Sequence, residues 1–347
     1  MIEVKNLTKV YGDHTAVDNL SFKIYNGKIY GLLGPNGAGK STTMNMMTGC
    51  LAPTSGSVRI NGFDVVKEPV KAKKCIGYLP EIPPVYGELT PYEYLLFVAE
   101  AKGVSYERAV RQVQEVMEMT DIMDMRDRLI KNLSKGYRQR VGIAQTILGD
   151  PDIIILDEPT VGLDPKQIIE IRSLIRALGE TKTVIISSHI LAEIKEMCDH
   201  VLIISGGKLI ANSPIEELQD SVSAGMKIRL SVRGDADGII AALNEIEEID
   251  SCTLEASHEE GVVALTLKTK SETDLRDRIF FAMADRRYAV ISMEREEESL
   301  ESVFLRLTDD APEEDDGASR KKAKKKLRDE PDMEGEYELI EEEEEKN

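Results

Sequence analysis

Four short stretches of this sequence hold side chains that could together grip a polyphosphate. The first is Gly34-Pro35-Asn36-Gly37-Ala38-Gly39-Lys40-Ser41-Thr42, whose G-x-x-x-x-G-K-S spacing is that of a phosphate-binding loop. Its glycines let backbone N–H groups curl around an anion, and the positive end of a following helix adds to the attraction. Lys40 can reach the outer phosphates, and the Ser41 hydroxyl can ligate Mg²⁺. The second stretch, "IIILDEPT", lies 117 residues beyond Lys40 and puts Asp157 and Glu158 at the end of an apolar run. There one carboxylate can hold a magnesium ion through water while its neighbour polarises a water for in-line attack. The third, "LSKGYRQR", begins 23 residues before Asp157 with Ser134, a good helix N-cap, and Gly136, which permits close backbone approach to an anion. The fourth is His189, 32 residues past Asp157, whose imidazole could hydrogen-bond a terminal phosphate. Read singly, the last three are a solvated strand end, a capped helix start and a structural histidine. Their order makes them a set.

A set of this kind needs strand ends brought side by side. Residues 1–220 alternate strand-like and helix-like segments, the pattern of an α/β layer fold. "IYGLL" precedes the phosphate loop and "KSTTMNMMTG" follows it as a helix. "IIIL" at 153–156 and "TVIIS" at 183–187 read as parallel strands buried on both faces, joined by the helix "KQIIEIRSLIRAL". Asn26-Gly27 and Asn61-Gly62, each between apolar-rich runs, predict two hairpins and a small antiparallel sheet beside the main one. Ala109, Val110, Val113, Val116 and Met117 recur at helical spacing within a helix-rich insertion over about 82–150. From 221 the order becomes β-α-β-β-α-β, the ferredoxin-like signature of a small α+β domain over 221–308, with "SLESVFLRL" as a last helix packed on it. Residues 309–347 carry 17 acids and 8 bases and predict a disordered charged tail.

The bulk properties narrow the function classes. The chain has 347 residues, 41% hydrophobic and 31% charged, which suits a soluble protein of two domains. No apolar run approaches the roughly 20 residues of a membrane-spanning helix. The net charge of −19 argues against broad nucleic-acid binding, so no nucleic acid is expected as partner. Cys50, Cys75, Cys198 and Cys252 form no CxxC pair, which points to reduced thiols in a cytosolic setting.

Taken in order, these motifs resemble the nucleotide-binding domain of ATP-binding cassette (ABC) transporters over about residues 1–220, closest to exporter-class cassettes including gliding-motility-like ones. The resemblance implies a P-loop NTPase fold: a RecA-like core, an antiparallel β subdomain and a helical subdomain. In its terms Gly34–Ser41 is the Walker A loop, Asp157-Glu158 ends the Walker B strand, and Ser134, Lys135, Gly136 and Tyr137 belong to the signature. His189 is the switch histidine, and Asp164 of "VGLDP" is the D-loop acid. Tyr11 of "KVYG" matches the aromatic that stacks on adenine, though by itself it could equally be a strand-end core residue.

The mechanism implied is ATP hydrolysis. Two such domains, a homodimer or paired ATPase subunits, close head to tail on two ATP molecules, each site joining one chain's Walker motifs to the other's Ser134 and Gly136. Glu158 serves as base, His189 touches the γ-phosphate, and Lys40 with Mg²⁺ neutralises developing charge. A separately encoded integral membrane permease is the expected partner, with this chain peripheral at the cytoplasmic face of the membrane. The C-terminal part resembles extensions on ABC proteins whose permeases export lipids, antibiotics or polymers, and no importer-type regulatory domain is recognisable.

The sequence departs from the family pattern at three positions. Glu81 of "GYLPEIPP" stands where the family carries Gln; it can accept from water or approach Mg²⁺ beside Ser41 and Asp157, but it cannot donate. Lys135 and Tyr137 replace Gly and Gln in the signature while sparing Ser134 and Gly136, so activity is expected to survive. The aromatic-rich "YGELTPYEYLLFVAE" lies where the family receives the permease's coupling helix. Two other readings stay open: an ABC ATPase acting on nucleic acid or ribosomes, and an ATP-dependent clamp without turnover.

Overall fold

The computed structural model describes residues 1–220, 227–257, 259, 261–270 and 273–296. The last helix and the charged tail expected beyond 296 lie outside these residues. A central six-stranded sheet has the order β10-β9-β3-β8-β7-β6. Its parallel strands are β3 (Ile29–Leu33), β6 (Ile76–Leu79), β7 (Ile153–Leu156), β8 (Thr183–Ser188) and β9 (His200–Ser205). Strand β10 (Lys208–Pro214) adds to β9 antiparallel. Strands β3, β7 and β8 are buried throughout, as their unbroken apolar runs require for a sheet covered on both faces.

The two faces feed different cores. Ile153, Ile155, Ile185, Leu202 and Ile204 point to a layer formed by α1 (Lys40–Met47), α2 (Pro69–Lys74) and a four-stranded antiparallel sheet. That sheet has the order β2-β1-β4-β5, from β1 (Ile2–Tyr11), β2 (His14–Ile24), β4 (Ser55–Ile60) and β5 (Phe63–Asp64). Ile154, Leu156, Val184, Ile186 and Ile203 point the other way, into a core shared with five helices. These are α3 (Pro91–Ala101), α4 (Tyr106–Met119), α5 (Lys135–Ile147), α6 (Pro165–Gly179) and α7 (Leu191–Met197). The alternation of β7 and β8 residues between two cores makes the sheet the middle layer of three. In α4 the stripe Ala109, Val113, Val116 and Met117 is buried, and Thr90 closes a capping box with Glu93 at the start of α3.

One predicted hairpin forms and one does not. Asn61 and Gly62 both take positive φ, 48° and 87°, and Ile60 pairs with Phe63 across them, the two-residue geometry that Asn-Gly favours. Asn26-Gly27 instead carries the chain from the antiparallel sheet to the central one, so β2 and β3 never pair. Only Gly27 takes positive φ there, its N–H donates to Thr183 Oγ1 at 3.0 Å, and Asn26 Oδ1 receives the terminal amine of Met1. These side-chain and long-range bonds replace the cross-strand ladder. The partner of β2 is β1, joined through Gly12-Asp13 with Tyr11 opposite His14, and Gly12 supplies the positive φ.

After α8 (Ile215–Asp220), the C-terminal part runs β11 (Lys227–Arg233), α9 (Ala236–Asn244), β12 (Ile249–Glu255), β13 (Val262–Thr269), α10 (Arg276–Asp285) and β14 (Ala289–Glu296). Its antiparallel sheet has the order β12-β13-β11-β14, the ferredoxin-like arrangement expected from the element order. Ile228, Leu230 and Val232 of β11 pack against Ile239 and Leu243 of α9 and Ile279 and Met283 of α10. All four cysteines are unpaired.

Candidate active site

Strand β8 lies between β3 and β7, so the carboxyl ends of three neighbouring parallel strands deliver the phosphate loop, Asp157-Glu158 and His189 to one edge. Such an edge is where open α/β sheets hold ligands. Helix α1 starts at Lys40 behind Gly39, whose φ of 100° turns the loop and whose position leaves the first N–H groups of the helix without a side-chain cap. A Cβ on Gly34 would lie 2.2 Å from the Ile204 carbonyl, and one on Gly39 2.5 Å from that of Ala16, so both positions require glycine.

The charged groups form a chain. Lys40 donates to the carbonyls of Gly34 at 2.8 Å and Pro35 at 3.2 Å, and its ammonium stands 3.4 Å from Glu158 Oε1. The other Glu158 oxygen is 3.0 Å from His189 Nδ1. Lys40 and Glu158 are both buried, whereas His189 is half-exposed. Glu158 itself is held at φ 48°, a conformation that costs about 1 kcal/mol or more and is retained here by its neighbours. Its N–H donates to Ser187 Oγ at 2.7 Å, and the Ser187 hydroxyl donates in turn to Asp157 Oδ1 at 2.6 Å. Ser41 donates to the same Asp157 oxygen at 3.2 Å. Behind Asp157, the Tyr78 hydroxyl donates to Asn45 Oδ1; burial first and the Asp157 carboxylate second push that phenol above its ordinary range.

A cleft of about 500 Å³ opens over these residues, lined by Asn36, Gly37, Gly39, Lys40, Ser41 and Thr42 of the loop and by Glu158 and His189. Tyr11 and Glu81 also line it, joined by His14, Ala16 and Val161, which the motifs did not single out. Tyr11 is 48% exposed beneath the Lys9 ammonium, 5.2 Å from the ring centre, so the strand-end core reading of this tyrosine does not apply. Pro35 and Ala38 shape the loop from behind: the Ala38 N–H donates to the Pro35 carbonyl at 3.2 Å, and Ala38 is buried.

The signature residues stand apart from this cleft. Ser134 caps α5 by accepting from the Tyr137 N–H at 3.3 Å and remains exposed with Lys135. Tyr137 donates its hydroxyl to Asp124 at 3.0 Å. Gly136 is buried against Gln167, where a Cβ would come within 2.6 Å of that side chain. Its close approach within the chain is therefore to the start of α6, where Asp164 accepts from the Gln167 N–H at 2.9 Å. The Lys135 ammonium lies over Gly162 of the same turn.

Two buried polar residues escaped the motif reading: Ser187, which bridges Asp157 and Glu158, and Glu193, which accepts the Thr160 and Ser188 hydroxyls. Their signals were polar residues in buried settings: a Ser-Ser pair ending the apolar run "TVIISS", and an acid in the first turn of α7.

Comparison with known proteins agrees with the geometry. The family model "ABC transporter" matches residues 17–161. The linearmycin resistance ATP-binding protein LnrL of Bacillus subtilis (strain 168) is 31% identical over 318 residues, covering 89% of this chain and 98% of that protein. The bacitracin transport ATP-binding protein BcrA of Bacillus licheniformis is 34% identical over 309 residues, with 88% and 97% covered. Among solved structures, the ATP binding subunit of an ABC transporter aligns with a TM-score of 0.59 at 30% identity, over 64% of this chain and 92% of that one. A dimeric post-hydrolysis state of the ATP-binding cassette MJ0796 with ADP and Pi aligns with 0.57 at 26%, over 62% and 99%. A phosphate loop, a paired carboxylate and a histidine on adjacent strand ends, in a chain that matches such relatives over nearly their whole length, make this protein a member of the ABC transporter family, the ATP-binding and ATP-hydrolysing subunit of a transporter.

Proposed function

We propose that this chain powers export through a separately encoded integral membrane permease, working as a homodimer at the cytoplasmic face of the membrane. The observation that carries the catalytic part is the chain Lys40–Glu158–His189 along the wall of the cleft, with contacts of 3.4 and 3.0 Å. Export is supported by relatives that are resistance and bacitracin transport proteins. A paired arrangement is supported by the dimeric cassette among the solved structures. No helix among the described residues is long and apolar enough to cross a membrane, which is in keeping with a membrane-spanning partner.

In this reading Lys40 holds Glu158 neutralised until β- and γ-phosphates arrive, then turns to them with the N–H groups of residues 37–42. Glu158, released, takes a proton from the attacking water, and His189 orients the γ-phosphate. Tyr11 stacks on adenine. Ser41 and Asp157 present hydroxyl and carboxylate oxygens 3.2 Å apart, the hard donors that Mg²⁺ prefers, with Glu81 on the cleft wall. Bound there, the ion would offset negative charge on the phosphates. The exposed Ser134 and the N-terminus of α5, with Lys135 and Tyr137 beside them, serve the partner protomer's ATP, while Asp164 shapes the turn at the interface. Residues 1–220 form the nucleotide-binding domain, 221–308 an accessory domain and 309–347 a charged tail.

Complementation tests the shared site. A Glu158→Gln chain and a Ser134→Arg chain each lack hydrolysis alone, yet a mixed pair contains one site with both intact halves. Hydrolysis returning on mixing is the expected result. A mixture as inactive as its components would overturn the shared-site homodimer.

A further inference from the structure

Glu193 is a buried carboxylate for which the catalytic reading has no use. It is 4% exposed on the first turn of α7, four residues after His189. Its Oε2 accepts the Thr160 hydroxyl at 2.7 Å and the Ser188 hydroxyl at 3.1 Å. Thr160 and Ser188 are themselves buried, at 4% and 1% exposure. Its Oε1 faces Arg172 of α6 at 3.9 Å, and that arginine is shared with Glu196. An acid held this way costs free energy to desolvate, and two hydroxyls and one guanidinium offset it.

The positions of its partners give the carboxylate its meaning. Thr160 stands two residues after Glu158 on the loop leaving β7. Ser188 stands directly before His189 at the end of β8. One oxygen therefore ties together the two loops that carry the reacting pair, and those loops meet again only 3.0 Å apart at Glu158 Oε2 and His189 Nδ1.

We infer that Glu193 is a positioning residue for ATP hydrolysis: it fixes the loop after Glu158 to the loop of His189 and so sets the separation of base and histidine. The inference rests on the reading of Glu158 and His189 as the catalytic pair. Its effect belongs in turnover, because Glu193 lines neither the cleft nor the phosphate loop. A misplacement of about 1 Å between reacting groups can cost as much as about 100-fold in rate.

The test is steady-state hydrolysis of Mg-ATP by the full chain. Glu193→Ala removes the shared acceptor and is expected to lower kcat about 10- to 100-fold, with KM for ATP kept within about twofold. Glu193→Gln retains an acceptor oxygen for the two hydroxyls and is expected to recover most of that loss. Thr160→Val, nearly isosteric, removes one tie and serves if the alanine variant does not fold; kcat should fall with KM unchanged. An unaltered kcat in Thr160→Val or Glu193→Ala overturns the inference, as does a loss of ATP binding that parallels the loss of kcat. Glu158→Gln, run alongside, separates the two levels. If it too hydrolyses normally, the catalytic reading has failed; if it is inactive while Glu193→Ala is not, only the tie has failed.

Discussion

Ser187→Ala removes one hydroxyl that serves two backbone-and-carboxylate partners at once. The side chain is fully buried, donates to Asp157 Oδ1 at 2.6 Å and accepts the Glu158 N–H at 2.7 Å. A hydrogen bond to a buried carboxylate contributes about 1.5–3 kcal/mol, and an orphaned buried N–H costs about 1–3 kcal/mol. Asp157 keeps a second donor, Ser41 at 3.2 Å, which limits the first loss. The expected total is thus about 2–4 kcal/mol, below the plain sum of the two. Catalysis should suffer as well, since the lost bond holds the backbone N–H of Glu158 itself. Urea unfolding followed by fluorescence or circular dichroism, together with ATP turnover, reads both effects. The midpoint should fall by about 1 M for an m-value of about 2–3 kcal/mol/M, and kcat should drop more than KM changes. A midpoint shifted by under about 0.2 M with normal turnover would refute the bridging role.

Two further outcomes follow from single side chains. Glu81→Gln takes a carboxylate from the wall of the cleft that Ser41 also lines; a charge interaction of about 1 kcal/mol lost there should raise the Mg²⁺ concentration needed for half-maximal hydrolysis about fivefold while the thermal midpoint stays put. Tyr94, whose hydroxyl donates to the buried Gln145 Oε1 and lies 3.2 Å from Pro84 O, has its phenol pushed up to about 12, by burial first and Tyr86 second. Because the unfolded phenol ionises near its ordinary 10, the folded state alone keeps the proton above that pH, and the stabilisation is lost as pH rises toward 12. Tyr94→Phe should cost about 1–2 kcal/mol at neutral pH and show a shallower alkaline decline in stability, measured by unfolding at pH 7 to 11.

The legible parts of the fold were those in which local pattern and tertiary demand coincide. "IIIL" and "TVIIS" could be read as doubly covered strands because burial on both faces leaves no polar alternation. The phosphate loop could be read because close packing at Gly34 and Gly39 excludes other residues. Asn26-Gly27 misled because a turn dipeptide specifies a reversal but not the sheet that receives the next strand. Ser187 and Glu193 were illegible for a related reason. Their roles come from three-dimensional ties to Asp157, Glu158 and Thr160, about 30 residues away, and nothing in their local spacing announces those partners. Gly136 was read for an anion, yet within the chain it meets Gln167, a contact only the folded α5–α6 corner creates.

In the proposed mechanism Glu158 is the base on which conversion of ATP to ADP and phosphate in this cleft depends. Single-turnover phosphate release by Glu158→Gln, with ATP affinity measured on the same preparation, tests it most directly. ATP binding should persist, since the Lys40 ammonium is freed rather than lost, while release slows by about 100- to 10,000-fold. A variant that binds ATP and releases phosphate at the wild-type rate would contradict it.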